Sequence, residues 1–214
     1  MNRLGGWLFR HRTVIPVPLA IAVLLLRIGE AQPSKLLIAS GIGLILAGEA
    51  IRLWAVHHIG AVSRTRSERL GPLVAAGPFA IVRNPLYVGN IALWAGFALA
   101  ARLVWLAPVV VVVLALEYHA IVQWEEQLLE ARLGADYRAY AASVPRWLPT
   151  LHLLTLHHGG HWGHGGKNQR DRPSASSVSP AVERFSLRET LFSERGTLIA
   201  IAAGYLLLWL KLRT

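Results

Sequence analysis

The sequence predicts an all-α, polytopic membrane bundle of about four to five membrane helices. Three observations predict it. Hydrophobic residues make up 54% of the 214-residue chain and charged residues only 16%, well off the balance of an ordinary soluble domain. The apolar residues come in blocks too long for core helices, at a length that suits a bilayer. Several of the 8 Trp stand near the ends of those blocks, where amphipathic rings anchor at headgroup level.

The formal net charge is +10, and the basic residues flank the apolar blocks. Topology and contact with anionic lipid explain that placement. A nucleic-acid surface needs a basic strip with interleaved aromatics clear of such blocks, and there is none. There is no Cys, which excludes disulfides, thiolate metal sites and a Cys nucleophile.

The N-terminus is basic through Arg3, Arg10, His11 and Arg12. No small-residue cleavage site follows the next apolar run, so residues 13–29 read as a first membrane helix rather than a signal peptide. A second helix is expected from Lys35 to Val56, with Gly41, Gly43, Ala47 and Gly48 allowing close approach of a partner. Glu49 and Arg52 share a face of it. They fit either an interfacial ion pair or a polar cavity at membrane depth. The positive loop through Arg64, Arg66 and Arg69 places this end, and the N-terminus, on the cytoplasmic side.

Runs from Leu86 to Ala101 and from Leu103 to Ile121 predict a tight hairpin turning near Ala101–Leu103. Its second helix should run on into water through Glu117, Tyr118 and His119 to Glu125 and Glu126, and end at Gly134. A short amphipathic helix over Asp136–Ala142 follows. Gly, His and Ser dominate 152–180, which reads as a mobile segment. Its histidines have no Cys among them and the glycine spacing imposes no geometry, so no metal site is assigned. An amphipathic helix over 184–194 and an apolar run over 196–210 close the chain. Four units result: a membrane hairpin and loop (1–72), a core (73–150), a flexible segment (151–182) and the C-terminal helices (183–214).

The chemistry concentrates in Gly77-Pro78-Phe79-Ala80-Ile81-Val82-Arg83-Asn84-Pro85-Leu86-Tyr87-Val88-Gly89-Asn90. Asn84 is a favoured N-cap and Pro85 a favoured first helical residue. The free N–H groups of that first turn, with Arg83 beside them, offer a carboxylate site. Tyr87 adds a flat ring and a hydroxyl, and Gly89 leaves room for a ligand against the helix. Across the hairpin, Glu125 and Glu126 call for a cation or hydroxyls between them. An amino acid joined to a nucleoside meets both demands, and S-adenosylmethionine is such a molecule. A membrane anchor on one side and a solvated glutamate face on the other remain alternatives at this level.

The stretch Arg83-Asn84-Pro85-Leu86-Tyr87-Val88-Gly89 resembles the Arg-His-Pro-x-Tyr-x-Gly motif of the isoprenylcysteine carboxyl methyltransferase and phospholipid methyltransferase families. Glu125-Glu126-x-Leu128, Leu133-Gly134-x-x-Tyr137-x-x-Tyr140 and Val144-Pro145-x-x-Leu148-Pro149 resemble their C-terminal signature in order and spacing. The likeness covers roughly 73–149; Asn84 replaces the usual His, keeping the cap and losing a charge. It implies an integral membrane methyltransferase using S-adenosylmethionine, with the cofactor on the cytoplasmic side and a lipid-like acceptor arriving from the bilayer. Implied cofactor contacts are Gly77, Val82, Arg83, Asn84, Leu86, Tyr87, Gly89, Asn90, Glu125 and Glu126. Glu49, Glu117 or His119 would assist an amine acceptor, and Arg52 or Arg146 would hold an anionic one. The acceptor stays open between a prenylated carboxylate and a phospholipid amine. An NADPH-dependent sterol reductase-like protein and a non-catalytic scaffold are the readings of another class. The segment after Pro149 is expected to carry no catalytic role.

Overall fold

The computed structural model describes residues 3–60, 73–149 and 186–213. Their elements are α1 (Arg3–His11), α2 (Val17–Leu25), α3 (Lys35–Ile59), a 3₁₀ turn (Gly77–Ala80), α4 (Pro85–Ala100), α5 (Leu106–Leu133), α6 (Ala135–Ser143) and α7 (Leu187–Arg213). The described residues contain no strand, as the apolar blocks require. Helices α3, α5 and α7 are each long and apolar enough to cross a membrane. Many of their large apolar side chains point outward, among them Leu46, Val112, Leu116, Ile199 and Leu206. Water would penalise such a surface and a bilayer would not. Helix α4, with 16 residues, spans about 24 Å.

The first membrane helix expected over residues 13–29 is not a single span. Residues 12–16 form turns, and α2 covers nine residues, about 14 Å of rise and half of a hydrocarbon core. The basic start is itself helical. Gly5 and Gly6 let α1 lie against Ala120 and Trp124 of α5. At the other end of the chain, the two segments expected over 184–194 and 196–210 form the single helix α7; Gly196 does not interrupt it.

Helices α3 and α4 run antiparallel and make the closest pairing in the molecule. Glycines set that distance. A Cβ on Gly41 would lie 2.5 Å from the Ala100 nitrogen, and one on Gly96 2.7 Å from the Gly41 carbonyl oxygen. Seven residues along, Gly48 and Gly89 repeat the arrangement: their Cβ atoms would meet each other's carbonyl oxygens at 2.6 and 2.7 Å. Of the four small residues expected at this contact, Gly41 and Gly48 occupy it. Gly43 has open space around it and Ala47 is exposed, since both fall on the opposite face.

The α4–α5 turn falls at Ala101–Trp105, with Arg102 at φ 64°. Its guanidinium pairs with Glu30. Lys211 of α7 reaches the same carboxylate at 3.3 Å and donates to the carbonyls of Val23 (3.1 Å) and Leu26 (2.5 Å). Thus one carboxylate holds two cations where α2, α7 and the hairpin turn converge. Glu30→Ala leaves both without it. Removing one partner of a buried pair typically costs about 3–5 kcal/mol, so the midpoint of thermal unfolding in detergent is expected to fall by several degrees, with Glu30→Asp recovering part of the loss.

Candidate functional site

The first half of the site is built by turn chemistry. Gly77 takes φ +62°, and its missing side chain admits the His58 ring, which a Cβ would meet at 2.4 Å. Pro78 and Phe79 bury in the following turn. Residues 144–147 then strap this segment in place. The Arg83 N–H donates to the Pro145 carbonyl (2.9 Å) and the Asn84 side-chain amide to the Arg146 carbonyl (3.1 Å); from α6, the Tyr140 hydroxyl adds a bond to the Phe79 carbonyl (2.7 Å). Asn84 occupies the N-cap position of α4, yet its side chain makes no capping hydrogen bond; its amide is spent on the strap. The first N–H groups of α4 are left without a side-chain partner.

Glu125 and Glu126 arrive from α5. Neighbours on a helix diverge by about 100°, so the two carboxylates do not share a partner. Glu126 accepts from Arg146 at 3.0 and 2.6 Å and pairs with Arg83 at 3.0 Å. Glu125 accepts from the Tyr87 hydroxyl at 3.1 Å. Thus the two sides of the hairpin, expected to face each other across a ligand, touch directly through these pairs. The mutual repulsion expected of the glutamates is relieved by protein groups. The hydrogen bonds to Glu126 raise the pKa of Arg146 above its ordinary value and keep it charged. Burial pushes the Tyr137 hydroxyl up to about 12 and the Tyr140 hydroxyl higher still, so both remain donors at neutral pH.

Beside these pairs lies a mostly apolar cavity of about 930 Å³, toward the upper end of the roughly 300–1,000 Å³ usual for ligand pockets. Arg83, Asn84, Leu86, Tyr87, Glu125 and Glu126 line its mouth. Tyr87 stacks on Tyr118, ring centroids 4.7 Å apart. Arg12, from the α1–α2 turn, also lines the mouth. Deeper in, Arg52 bonds Glu49 (3.3 Å), Asn90, Glu194 and Thr197 (3.2 Å). Val23, Trp94, Phe97, Ile201 and Leu207 supply apolar walls. A second, polar hollow of about 420 Å³ lies on the other side of the Arg83–Glu126 pair, edged by Arg146, Arg138 and Gln127.

Several sequence expectations fall elsewhere. Gly89 faces Gly48 and the Arg52 stem and does not line the cavity. Gly77 and Val82 shape the turn from behind the cavity wall. Arg146 opens to the second hollow and reaches the cavity only through Glu126. His119 is exposed, bonded to Gln123 and stacked on Trp147. Glu117 is buried with neither oxygen hydrogen-bonded. It sits about 80° around α5 from Glu125 and does not line the cavity. Glu49 reaches the cavity only through Arg52.

Sequence reasoning missed Arg12, Tyr118, Glu194 and Thr197. Reading 187–213 as one helix would have revealed the last two, because Glu194, Thr197, Ile201 and Gly204 recur on a helical stripe that faces the cavity. The Arg64–Arg69 loop and the histidines of 152–180 lie outside the described residues. Among the described residues no three His, Cys, Asp or Glu cluster as metal ligands.

A helical membrane bundle with a polar-mouthed apolar cavity defines the class. Residues 36–136 match the family described as phospholipid methyltransferase, so the family resemblance carried by the Arg83–Gly89 motif holds across α3, α4 and α5. The match supports a membrane methyltransferase, and the usual methyl donor of such enzymes is S-adenosylmethionine. Two curated relatives are similar over a wider stretch. The nickel-cobalt-cadmium resistance protein NccN of Alcaligenes xylosoxydans xylosoxydans is 29% identical over 71% of this chain and 70% of its own. The cobalt-zinc-cadmium resistance protein CzcN of Cupriavidus metallidurans is 27% identical over 70% and 69%. No solved structure matches.

Proposed function

We propose that the protein transfers a methyl group from S-adenosylmethionine to a lipid-like acceptor, with the mouth of the cavity facing the cytoplasm. One observation carries the reading: a single cavity joins a mouth of opposed charges to walls of Val23, Trp94, Phe97, Ile201 and Leu207. The residues at the mouth suit this cofactor. Arg83 has a buried Nε without a hydrogen-bond partner, and the uncapped start of α4 adds N–H donors toward a carboxylate. Glu125 and Tyr87 offer an acceptor and a hydroxyl to an ammonium or a ribose. When bound, S-adenosylmethionine supplies an activated methyl group on a sulfonium. The protein's own part is to orient both reactants and keep water out, which the apolar walls do.

Of the two acceptors, an amine is favoured over a carboxylate. The deep cluster holds two carboxylates, Glu49 and Glu194, for one guanidinium, Arg52. A cationic headgroup relieves that imbalance and a carboxylate worsens it.

The deciding measurement is binding of S-adenosylmethionine and of NADPH to detergent-purified protein, followed by labelled-methyl transfer to a lipid extract. Binding of the first but not the second is expected, with label appearing in lipid. A folded protein that binds NADPH, or neither, would overturn the reading.

A further inference from the structure

Helix α7 lies beyond the segment that matches the family, 36–136, and still completes the cavity. Its inner stripe carries Glu194 and Thr197 at the level of Arg52, then the small residues Ala200 and Gly204 farther along. Gly204 packs against the Phe97 ring, which a Cβ there would meet at 2.8 Å.

The arrangement around Arg52 is asymmetric. Its Nε belongs to Glu49, three residues earlier on the same helix. Its Nη1 donates to Asn90 of α4, and its Nη2 to Glu194 and Thr197 of α7. Glu49 and Arg52 alone would be neutral. Glu194 brings the cluster to a formal charge of −1, and it stands on the cavity wall. Glu194 is 8% exposed and Glu49 6% exposed, and the Oε1 of Glu49 has no hydrogen-bond partner. Glu49 lies behind Arg52, off the cavity wall, so Glu194 is the carboxylate of the cluster that a headgroup meets. Arg52, the guanidinium of this cluster, is already shared among Glu49, Asn90, Glu194 and Thr197.

We propose that Glu194 is a specificity-determining residue: its charge makes the deep end of the cavity select an acceptor with a cationic amine headgroup and reject one with a carboxylate. The role as acceptor site rests on the methyltransferase reading; the charge selection itself does not. Glu194 competes with any anionic headgroup for Arg52, while an ammonium gains a carboxylate partner without displacing a protein contact. Glu194→Gln keeps a hydrogen-bond acceptor for Arg52 and removes only the charge. The side chain therefore acts on headgroup charge, and Asp in its place retains the sign.

The test uses two probes with the same tail, dodecylammonium and dodecanoate, bound to the full chain in maltoside micelles at pH 7 without cofactor. Wild-type protein is expected to bind dodecylammonium at least tenfold more tightly than dodecanoate. Glu194→Gln is expected to shrink that ratio by tenfold or more, and Glu194→Asp to restore most of it. Binding of S-adenosylmethionine, measured in parallel, should be unchanged in both variants. A wild-type preference for dodecanoate, or an equal ratio in wild type and Glu194→Gln, overturns the proposal. The wild-type ratio decides even where a variant fails to fold. Failure of wild type to bind S-adenosylmethionine would sink the methyltransferase reading instead, and leaves the ratio to judge Glu194 by itself.

Discussion

Gly48→Ala is expected to destabilise the fold by about 3 kcal/mol, the upper end of the usual cost of overpacking, while Gly43→Ala on the same helix is expected to be neutral or slightly stabilising. The new Cβ at 48 would stand 2.6 Å from the Gly89 carbonyl oxygen and 2.8 Å from the Leu93 nitrogen. Both are backbone atoms of α4, so no rotamer change relieves the clash and the helices must separate. Gly43 meets nothing within 4 Å, so Ala there gains only helix propensity. Separation also carries Arg52 away from Asn90, because Gly89 packs against the Arg52 stem as well. Thermal unfolding in detergent should therefore show a loss for Gly48→Ala that Gly43→Ala lacks. Equal midpoints would mean that the α3–α4 distance is not set by glycine.

The same pairing shows what was legible in the sequence. Small residues in an apolar block announced a close helix contact, but the block alone did not say which face makes it. That needed the partner: Gly41 and Gly48 meet Gly96 and Gly89, while Gly43 and Ala47 turn away. The hairpin and its long second helix were legible because length and apolar content are local properties of each run. The return of Glu126 to Arg83 followed from them.

Three things were not legible. The break at residues 12–16 was hidden because it falls where the basic start gives way to the apolar run, and Pro16 and Pro18 suit a helix start as well as an interruption. The inclusion of α7 in the cavity was hidden because Glu194-Arg195-Gly196 reads as a boundary. In the fold the helix runs through it, and Glu194 becomes a partner of Arg52 instead of a surface charge. Tertiary pairing also reassigned Asn84, whose amide serves the 144–147 strap rather than the helix cap. A local cap rule does not anticipate a competing carbonyl 62 residues away.

Glu126→Ala is expected to weaken S-adenosylmethionine binding by 100-fold or more, and to lower stability by about 2–3 kcal/mol, less than the cost of breaking a fully buried ion pair because this one is half-buried. Its side chain is 15% exposed and stands between Arg83 and Arg146. Removing it leaves two cations facing each other beside Tyr137, and frees Arg83 from the wall where it lines the cavity. Arg83→Ala should cost comparable binding with a smaller stability loss, since Glu126 keeps its two hydrogen bonds from Arg146. Arg146→Ala, which touches the cavity only through Glu126, should weaken binding far less than either. The double variant Arg83→Ala, Glu126→Ala should then lose much less than the sum of its parts, because each single change already disables the same pair. Isotherms with labelled S-adenosylmethionine on the four variants check the order. Full additivity would show that Arg83 and Glu126 act on the ligand separately, and normal binding in both single variants would place the cofactor elsewhere in the bundle.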